Sequence, residues 1–389
     1  MRFVHTADWQ LGMTRRVLGA RPPKEAAGGL TGEAQARFAQ ARLDAVSALG
    51  RLADERGADF VLVCGDVFES NLVGPDVVAR ACEALGSFRT PVLLLPGNHD
   101  PADAACVFRR PDFVRRCPPY VTVLDTPGVH EVAPGVEVVA APWRSKHPLT
   151  DLVGEQLAAL GPASPGTLRV LAGHGELDVL DPDDDEPARI RRDGVLAALA
   201  DGRVHYVALG DRHSAWTDDA DDRIRHAGTP EVTDFDEVDP GHVLVVDLDD
   251  RAAQVVIETV GRWRFLRHDA RLDTDEDLEA LDAWLAAHPE KERTAVRLAL
   301  VGTVSLRQRS RLDDLLAAHD HAFAAVEVLA QHSELATVPD DADLDDLDLH
   351  GFAADAASEL FAAASPGGAA DDEARDALRL LHRLVGTPR

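Results

Sequence analysis

The sequence predicts an α/β protein: a sheet of short buried strands covered by helices, followed by a second, smaller α/β unit. Three observations carry that prediction. Short apolar runs alternate with stretches of helical periodicity, each run breaks off into polar or glycine-containing residues, and the pattern changes after residue 271. The first run, Arg2–Thr6, opens the chain; Phe60–Cys64, Val92–Leu95, Val136–Ala140, 169–172 and 206–209 follow. Runs this short and this apolar suit strands covered on both faces. Between the first two, Ala36, Phe38, Ala41, Leu43, Ala45, Val46, Leu49 and Leu52 recur at helical spacing and predict a helix over Glu33–Arg56. His242–Leu248 and 253–260 flank Asp249-Asp250-Arg251 and read as paired strands that close a first domain, 1–271. Beyond it, a helix over 274–287, a strand over 295–303, a helix over 310–319 and a strand over 324–330 make a compact second domain, 272–335. The Asp-rich stretch 338–348 reads as a solvated linker. Helices over 349–364 and 371–385, parted by Ser365-Pro366-Gly367-Gly368, complete an acidic linker and helical tail, 336–389. Ala374, Leu378, Leu381 and Val385 would line one face of the last helix, either packed on the protein's own body or docked on a partner's coiled coil.

Composition narrows the function. The 389 residues include 68 Asp and Glu against 40 Lys and Arg, a formal charge of −28. A surface of that sign repels polyanions, so contact with nucleic acid needs local arginine clusters, bound metal or a basic partner. No apolar run approaches the ~18 residues of a membrane span, and Met1-Arg2-Phe3-Val4-His5 enters a strand pattern without a signal peptide's apolar stretch. The expectation is a soluble, cytoplasmic protein. Cys64, Cys82, Cys106 and Cys117 form no CxxC pair and are expected to be reduced, mostly buried thiols.

The informative polar residues fall where strands end. Asp8-Trp9-Gln10 follows the first, Gly65-Asp66 the second, Gly97-Asn98-His99-Asp100 the third, Gly173-His174 a later one and Gly210-Asp211-Arg212-His213 the last. In an open α/β sheet such ends converge on one edge, where ligands bind. In extended chain residues two apart share a side, so Asp8 with Gln10, and Asp211 with His213, can each face one cavity. Each signal alone fits a helix cap, a turn or a core histidine as well. Five in sequence order, offering carboxylates, amide oxygens and imidazoles, suit a pair of divalent cations about 4 Å apart that clamp a phosphate and activate a water.

These residues resemble a known family. His5-Thr6-Ala7-Asp8-Trp9, Gly65-Asp66-Val67-Phe68-Glu69, Gly97-Asn98-His99-Asp100, Gly173-His174 and Gly210-x-x-His213 are similar to the motifs of the calcineurin-like metallophosphoesterases. The opening HTADW and Gly228-Thr229-Pro230-Glu231, followed by Phe235-Asp236-Glu237 and Gly241, are most similar to the SbcD-type DNA repair exonucleases, nuclease partners of SMC-like ATPases. The likeness covers most of residues 1–265. It implies a sandwich of two β-sheets flanked by helices, with a small α/β capping domain and a helical C-terminal tail. It also implies that Asp66 bridges two metals, that Asp8 and His213 hold one and Asn98 and His174 the other, and that His99 is the general acid while metal-bound water attacks phosphorus. Asp100 and Glu69 stand as alternative orienters of His99. The family has His where Gln10 and Asp211 stand here. Both are expected to remain ligands, exchanging nitrogen for oxygen, so that the site favours two hard ions, Mn²⁺ first and Mg²⁺ second, over Zn²⁺.

Arg15, Arg16 and Arg21, Arg109, Arg110, Arg115 and Arg116, and Arg189, Arg191 and Arg192 form three clusters after the ligand motifs. They read either as a phosphate-binding rim or as a solvated charged face offsetting acids such as Asp183-Asp184-Asp185-Glu186. Trp143, Trp216, Trp263 and Trp284 either stack on bases or pack in the core. Residues 14–31, with two adjacent prolines and several glycines, read as a loop near the site. The leading expectation is a two-metal phosphodiesterase acting on DNA ends, with an SbcC-like SMC-family ATPase as partner and a homodimer implied by the resemblance. The alternatives are a phosphodiesterase or phosphatase for a small molecule, and a noncatalytic DNA-end-binding subunit.

Overall fold

The computed structural model describes residues 1–15, 17, 32–180, 186–338, 350–364, 374, 377–378 and 380–381. The chain divides into two compact units, Met1–Arg15 with Gln35–Trp263, and Arg16–Ala34 with Arg264–Arg389.

In the first unit the strands are β1 Arg2–Thr6, β2 Phe60–Cys64, β3 Val92–Leu95, β4 Val121–Val123, β5 Gly128–Ala133, β6 Val136–Ala140, β7 Leu168–His174, β8 Tyr206–Gly210, β9 Trp216–Thr217, β10 Ile224–His226, β11 His242–Leu248 and β12 Ala253–Thr259. Among the described residues they form two sheets, ordered β12-β11-β1-β2-β3-β4 and β5-β6-β7-β8-β10-β9. Alternation of side chains along each strand explains the layering. Phe3, Leu62, Leu93, Val138, Val170, Tyr206 and Leu244 fill the space between the sheets. Val4, Val61, Val63, Val92 and Leu94 face the other way, onto Val46 and Leu49 of helix α1 (Glu33–Arg56) and Val78 and Leu85 of α2 (Pro75–Leu85). The short α3 (Pro111–Arg116) adds Phe113 to this outer core. On the far side, Leu171, Val207 and Leu209 pack on Val153 and Leu157 of α4 (Leu152–Ala159) and Val195 and Leu199 of α5 (Arg192–Ala200). The result is a four-layer sandwich, helices on both outer faces of two sheets.

Strand direction places the site. β1, β2 and β3 pair in parallel, as do β7 and β8. Their C-terminal ends therefore emerge together on one edge in each sheet, and the sandwich brings the two edges side by side.

The second unit contains β13 Arg264–Leu272, α6 Asp275–Ala287, β14 Thr294–Val304, α7 Leu306–Asp320, β15 Ala325–Val328, β16 Glu334–Thr337 and α8 Phe352–Ala364. β14 pairs in parallel with β13, β15 and β16. Leu278, Leu281 and Leu285 of α6 and Leu312 of α7 pack on Val296, Leu298 and Leu300. Both helices begin in capping boxes, Thr274 with Asp277 and Ser305 with Gln308.

The long elements lie where periodicity puts them. Periodicity gives no strand at Arg264–Leu272, and it starts α7 four residues late although Ser305-x-x-Gln308 marks the true start. β13 shows why: eight of its nine residues are exposed or only partly buried, so little of it is apolar enough to announce a strand. Of the tail, Ala374 and Leu378 pack with Leu306 and Ala364, on the second unit's own body. The acidic stretch from 339, most of 371–385, Arg16, Arg21, Asp183-Asp184-Asp185 and most of 14–31 lie outside the described residues. Among the described residues no helix is long and apolar enough to cross a membrane.

Candidate metal centre

Six described non-glycine residues have positive φ, and four of them are the residues that follow strand ends: Asp8 at 55°, Gln10 at 49°, Asp66 at 55° and Asp211 at 88°. Left-handed backbone costs an L-residue roughly 1–2 kcal/mol and persists only where the surroundings over-determine it. Here two strand ends are tied together: Asp8 N–H donates to Gly65 O at 3.1 Å, Gln10 N–H to Asp66 O at 2.9 Å and Leu11 N–H to Val67 O at 2.9 Å. Glycine is required at two close approaches. A Cβ on Gly97 would lie 2.2 Å from Asp66 Oδ1, and one on Gly210 would lie 1.9 Å from Cys64 O.

Asp66 is the centre of the polar network. Its Oδ2 accepts from Gln10 Nε2 at 2.8 Å and its Oδ1 from the His99 N–H at 2.9 Å. His174 Nδ1–H donates to Cys64 O at 2.8 Å, which turns Nε2 into the site. Around that nitrogen stand Asn98 Oδ1 at 3.1 Å, Asp66 Oδ1 at 3.4 Å and Asp211 Oδ1 at 3.4 Å. Three oxygens thus converge on one imidazole nitrogen, an arrangement that a proton on Nε2 or a bound cation joins. On the other side, Asp8 accepts from the Asp211 N–H at 3.1 Å, and His213 Nε2 lies 4.0 Å from Asp8 Oδ1. His213 Nδ1 faces Glu237 Oε1 at 3.0 Å and Thr233 Oγ1 at 2.6 Å, partners that fix the orientation of the ring.

Burial and charge agree. Asp8, Gln10, Asp66 and His174 are all buried. Burial pushes the Asp8 carboxyl up to about 7. His174 is raised well above the ordinary histidine value, because Asp66, Asp211 and Asp8 outweigh the opposing effect of burial. His213 is also raised, burial being outweighed by Glu237 and Asp8. Asp211 is lowered: burial opposes, but His174 prevails. The field of the carboxylates outweighs burial at both imidazoles. One ligand atom each from Asp8, Asp66 and His174 lies within 4.8 Å of the other two. Gln10 Oε1 is buried with no hydrogen-bond partner. An orphaned buried oxygen, three carboxylates and two imidazoles held by outer partners fit a divalent cation set.

His99 stands at the rim, its side chain 42% exposed and its Nε2 3.9 Å from Asp66 Oδ2. Its Nδ1–H donates to the main-chain oxygen of Glu69 at 2.8 Å. Neither carboxylate considered as its orienter does that work. Asp100 instead accepts from Gly97 N–H at 2.8 Å and Phe68 N–H at 3.0 Å, cross-linking two ligand loops, and Glu69 acts through its peptide carbonyl. The Cys64 carbonyl behind His174 is a site group that the motifs do not mark, since a main-chain acceptor carries no sequence signal, and Glu237, though it lies in the Phe235-Asp236-Glu237 motif, carries no sign there of the His213 imidazole it holds.

The described arginines of the three clusters lie mostly against acids. Arg15 pairs with Asp234 at 3.4 Å, Arg109 with Asp125 at 3.0 Å, Arg110 with Asp112 at 2.6 Å, Arg191 with Asp178 at 3.7 Å and Arg192 with Asp218 at 2.6 Å. Arg115 and Arg116 are exposed. Trp143 and Trp263 are buried in the core, Trp143 donating to His174 O at 2.6 Å. A cavity of about 340 Å³ beside the centre is lined by Glu176, Asp211, Asp234, Asp236 and Glu237, with Arg212, His213 and Ser214.

A two-sheet sandwich whose strand ends gather carboxylates, amides and imidazoles at one edge fits a metal-dependent hydrolase. The chain belongs to the calcineurin-like phosphoesterase family, whose model matches residues 1–323, and is a metal-dependent phosphoesterase. No curated protein matches it.

Proposed function

We propose that this phosphoesterase hydrolyses phosphodiester bonds at DNA ends, as an SbcD-like exonuclease. The observation that carries diester hydrolysis is His99, exposed at the rim with its Nδ1–H pinned to Glu69 O and its Nε2 beside Asp66. DNA as substrate is supported by the likeness of HTADW and Gly228-Thr229-Pro230-Glu231 to that branch and by the second α/β unit, for which a small substrate has no need.

Bound divalent cations would draw charge from the phosphoryl oxygens and acidify a water. The donor set for two such ions is Asp8, Gln10, Asp66, Asn98, His174, Asp211 and His213, which is rich in oxygen and favours Mn²⁺ or Mg²⁺. The chain's own residues do the rest. Asp66 holds the His99 loop by accepting from the His99 main-chain N–H, and His99 Nε2 delivers a proton to the departing oxygen. An SMC-family ATPase partner and a homodimer belong to the same proposal.

A second reading is favoured by one observation. The cavity beside the centre carries five carboxylates and the neighbouring arginines are ion-paired, which suits a small phosphodiester better than a polyanion. End-labelled duplex DNA and bis(p-nitrophenyl) phosphate, each incubated in Mn²⁺ with and without chelator, separate the two. Chelator-sensitive DNA degradation supports the nuclease; turnover of the small diester with intact DNA supports the second reading. Stoichiometric zinc without manganese in protein purified without chelator would overturn the hard-ion assignment.

A further inference from the structure

The Asp8 turn is held from behind by two buried side chains that take no part in the chemistry. Arg42, 2% exposed on α1, donates through Nε to Trp9 O at 2.9 Å and through Nη2 to Asp8 O at 3.5 Å. Its Nη1 reaches Glu231 O at 3.3 Å and Val232 O at 3.0 Å. Thr229, 0% exposed, places Oγ1 3.0 Å from Asp8 O and 2.7 Å from Glu231 O, and its N–H donates to His213 O at 2.9 Å. One residue thus touches the main chain of two ligands that lie about two hundred positions apart in sequence.

We infer that Arg42 and Thr229 are positioning residues of the metal centre: Arg42 ties the left-handed Asp8 turn to the Glu231-Val232 segment, Thr229 ties it to the His213 turn, and together they set the spacing of these two ligands before a cation arrives. The inference rests on the reading that Asp8 and His213 hold a cation. It gives the Gly228-Thr229-Pro230-Glu231 motif a physical task.

The buried Arg42 charge is balanced by the nearby Glu231 carboxylate, since an unmatched buried charge is costly. The hydrogen bonds of Arg42 go instead to main-chain oxygens of the two loops. The Glu231 carboxylate is taken up by the N–H groups of Val232, Arg262 and Trp263. The planar fork is what the geometry uses: Nε, Nη1 and Nη2 reach four oxygens in two directions, which an ammonium on a flexible stem does not reproduce. Asp8 at φ 55° is the strained element that such bracing must over-determine.

The test is calorimetric titration of Mn²⁺ into metal-stripped full-length protein, comparing wild type with Arg42→Lys, Thr229→Val and Thr229→Ser, with thermal unfolding followed in parallel. The expected result is that Arg42→Lys and Thr229→Val each weaken one of two binding events about tenfold, as loss of an outer-shell partner does. Thr229→Ser, which keeps the hydroxyl, restores the wild-type affinity. Arg42→Lys and Thr229→Val binding Mn²⁺ as the wild type does while melting earlier would overturn the proposal, leaving both residues merely structural. Failure of Thr229→Ser to rescue would overturn the role of the hydroxyl. Wild type that binds no Mn²⁺ would remove the metal reading itself, and the proposal with it.

Discussion

On the proposed function the chemistry turns on His99, and its surroundings make a sharp prediction. Its ring donates to a peptide oxygen, and its main-chain N–H, which truncation keeps, is what hydrogen-bonds Asp66. His99→Ala should lower kcat by about 10²- to 10⁴-fold, the usual contribution of a general acid, while Mn²⁺ affinity measured by calorimetry stays near wild type. Loss of metal binding together with activity would instead make His99 part of the donor set. His5 supports a second prediction. Buried beside Tyr206, it donates through Nε2 to Leu209 O at 3.1 Å, and burial pushes its imidazole down to about 3. The folded protein therefore keeps His5 neutral, whereas the unfolded chain takes up the proton near the ordinary value of about 6.5. The unfolded state binds more protons between those values, so stability falls as pH drops from about 6.5 toward 3. His5→Gln keeps a donor and an acceptor without titrating. Between pH 6 and pH 4 it should reduce the slope of unfolding free energy by about 1.4 kcal/mol per pH unit, measured by urea denaturation. An unchanged slope would refute the assignment.

At the scale of elements, the joins between strand and turn matter more than the strands. β8 ends at Gly210, where a Cβ would strike Cys64 O and approach Ala7 Cβ at 2.7 Å and His174 Nδ1 at 2.9 Å. Main chain cannot step aside as a flexible side chain can. Gly210→Ala should destabilise the first unit by about 3 kcal/mol and displace His174, visible as weaker metal binding at temperatures where the variant is folded. Gly194, on α5 where a Cβ would meet open space, serves as the control, and Gly194→Ala should be neutral or stabilising by about 1 kcal/mol. Elements also show what periodicity can read. Glu33–Arg56, Phe60–Cys64 and His242–Leu248 have the bounds their apolar spacing indicates, because each is covered by a core on at least one whole face. β13 and β16 escape a reading by periodicity because they are held mainly by pairing with β14, a contact made across sequence.

For the whole molecule, the net charge of −28 and the crowded carboxylates act in the same direction. Asp8, Asp66 and Asp211 repel one another in the metal-free protein, and like charges over the surface repel in the compact state. Saturating Mn²⁺ at 100 times its dissociation constant should stabilise the fold by about 2.7 kcal/mol, read as a rise in Tm that chelator reverses. A Tm indifferent to Mn²⁺ would contradict a metal site confined to the folded state. Raising the salt concentration without divalent ions should also raise Tm, by screening the surface charge.

The amino-acid order alone specifies most of the strands, their helical covering and the order in which ligand types appear after each strand, since these depend on periodicity and local backbone demands that neighbours along the chain supply. It also marks His99, Asp66 and His174 as groups worth bringing together. Folding in three dimensions settles whom each polar group meets. Arg109 and Arg192 face Asp125 and Asp218, His99 is held by a peptide oxygen, His213 by Glu237, and Asp8 by Arg42 and Thr229. The physical reason is that a hydrogen bond or ion pair depends on distances of about 3 Å, and separations along the chain of tens to hundreds of residues fix no such distance until two sheets have packed face to face.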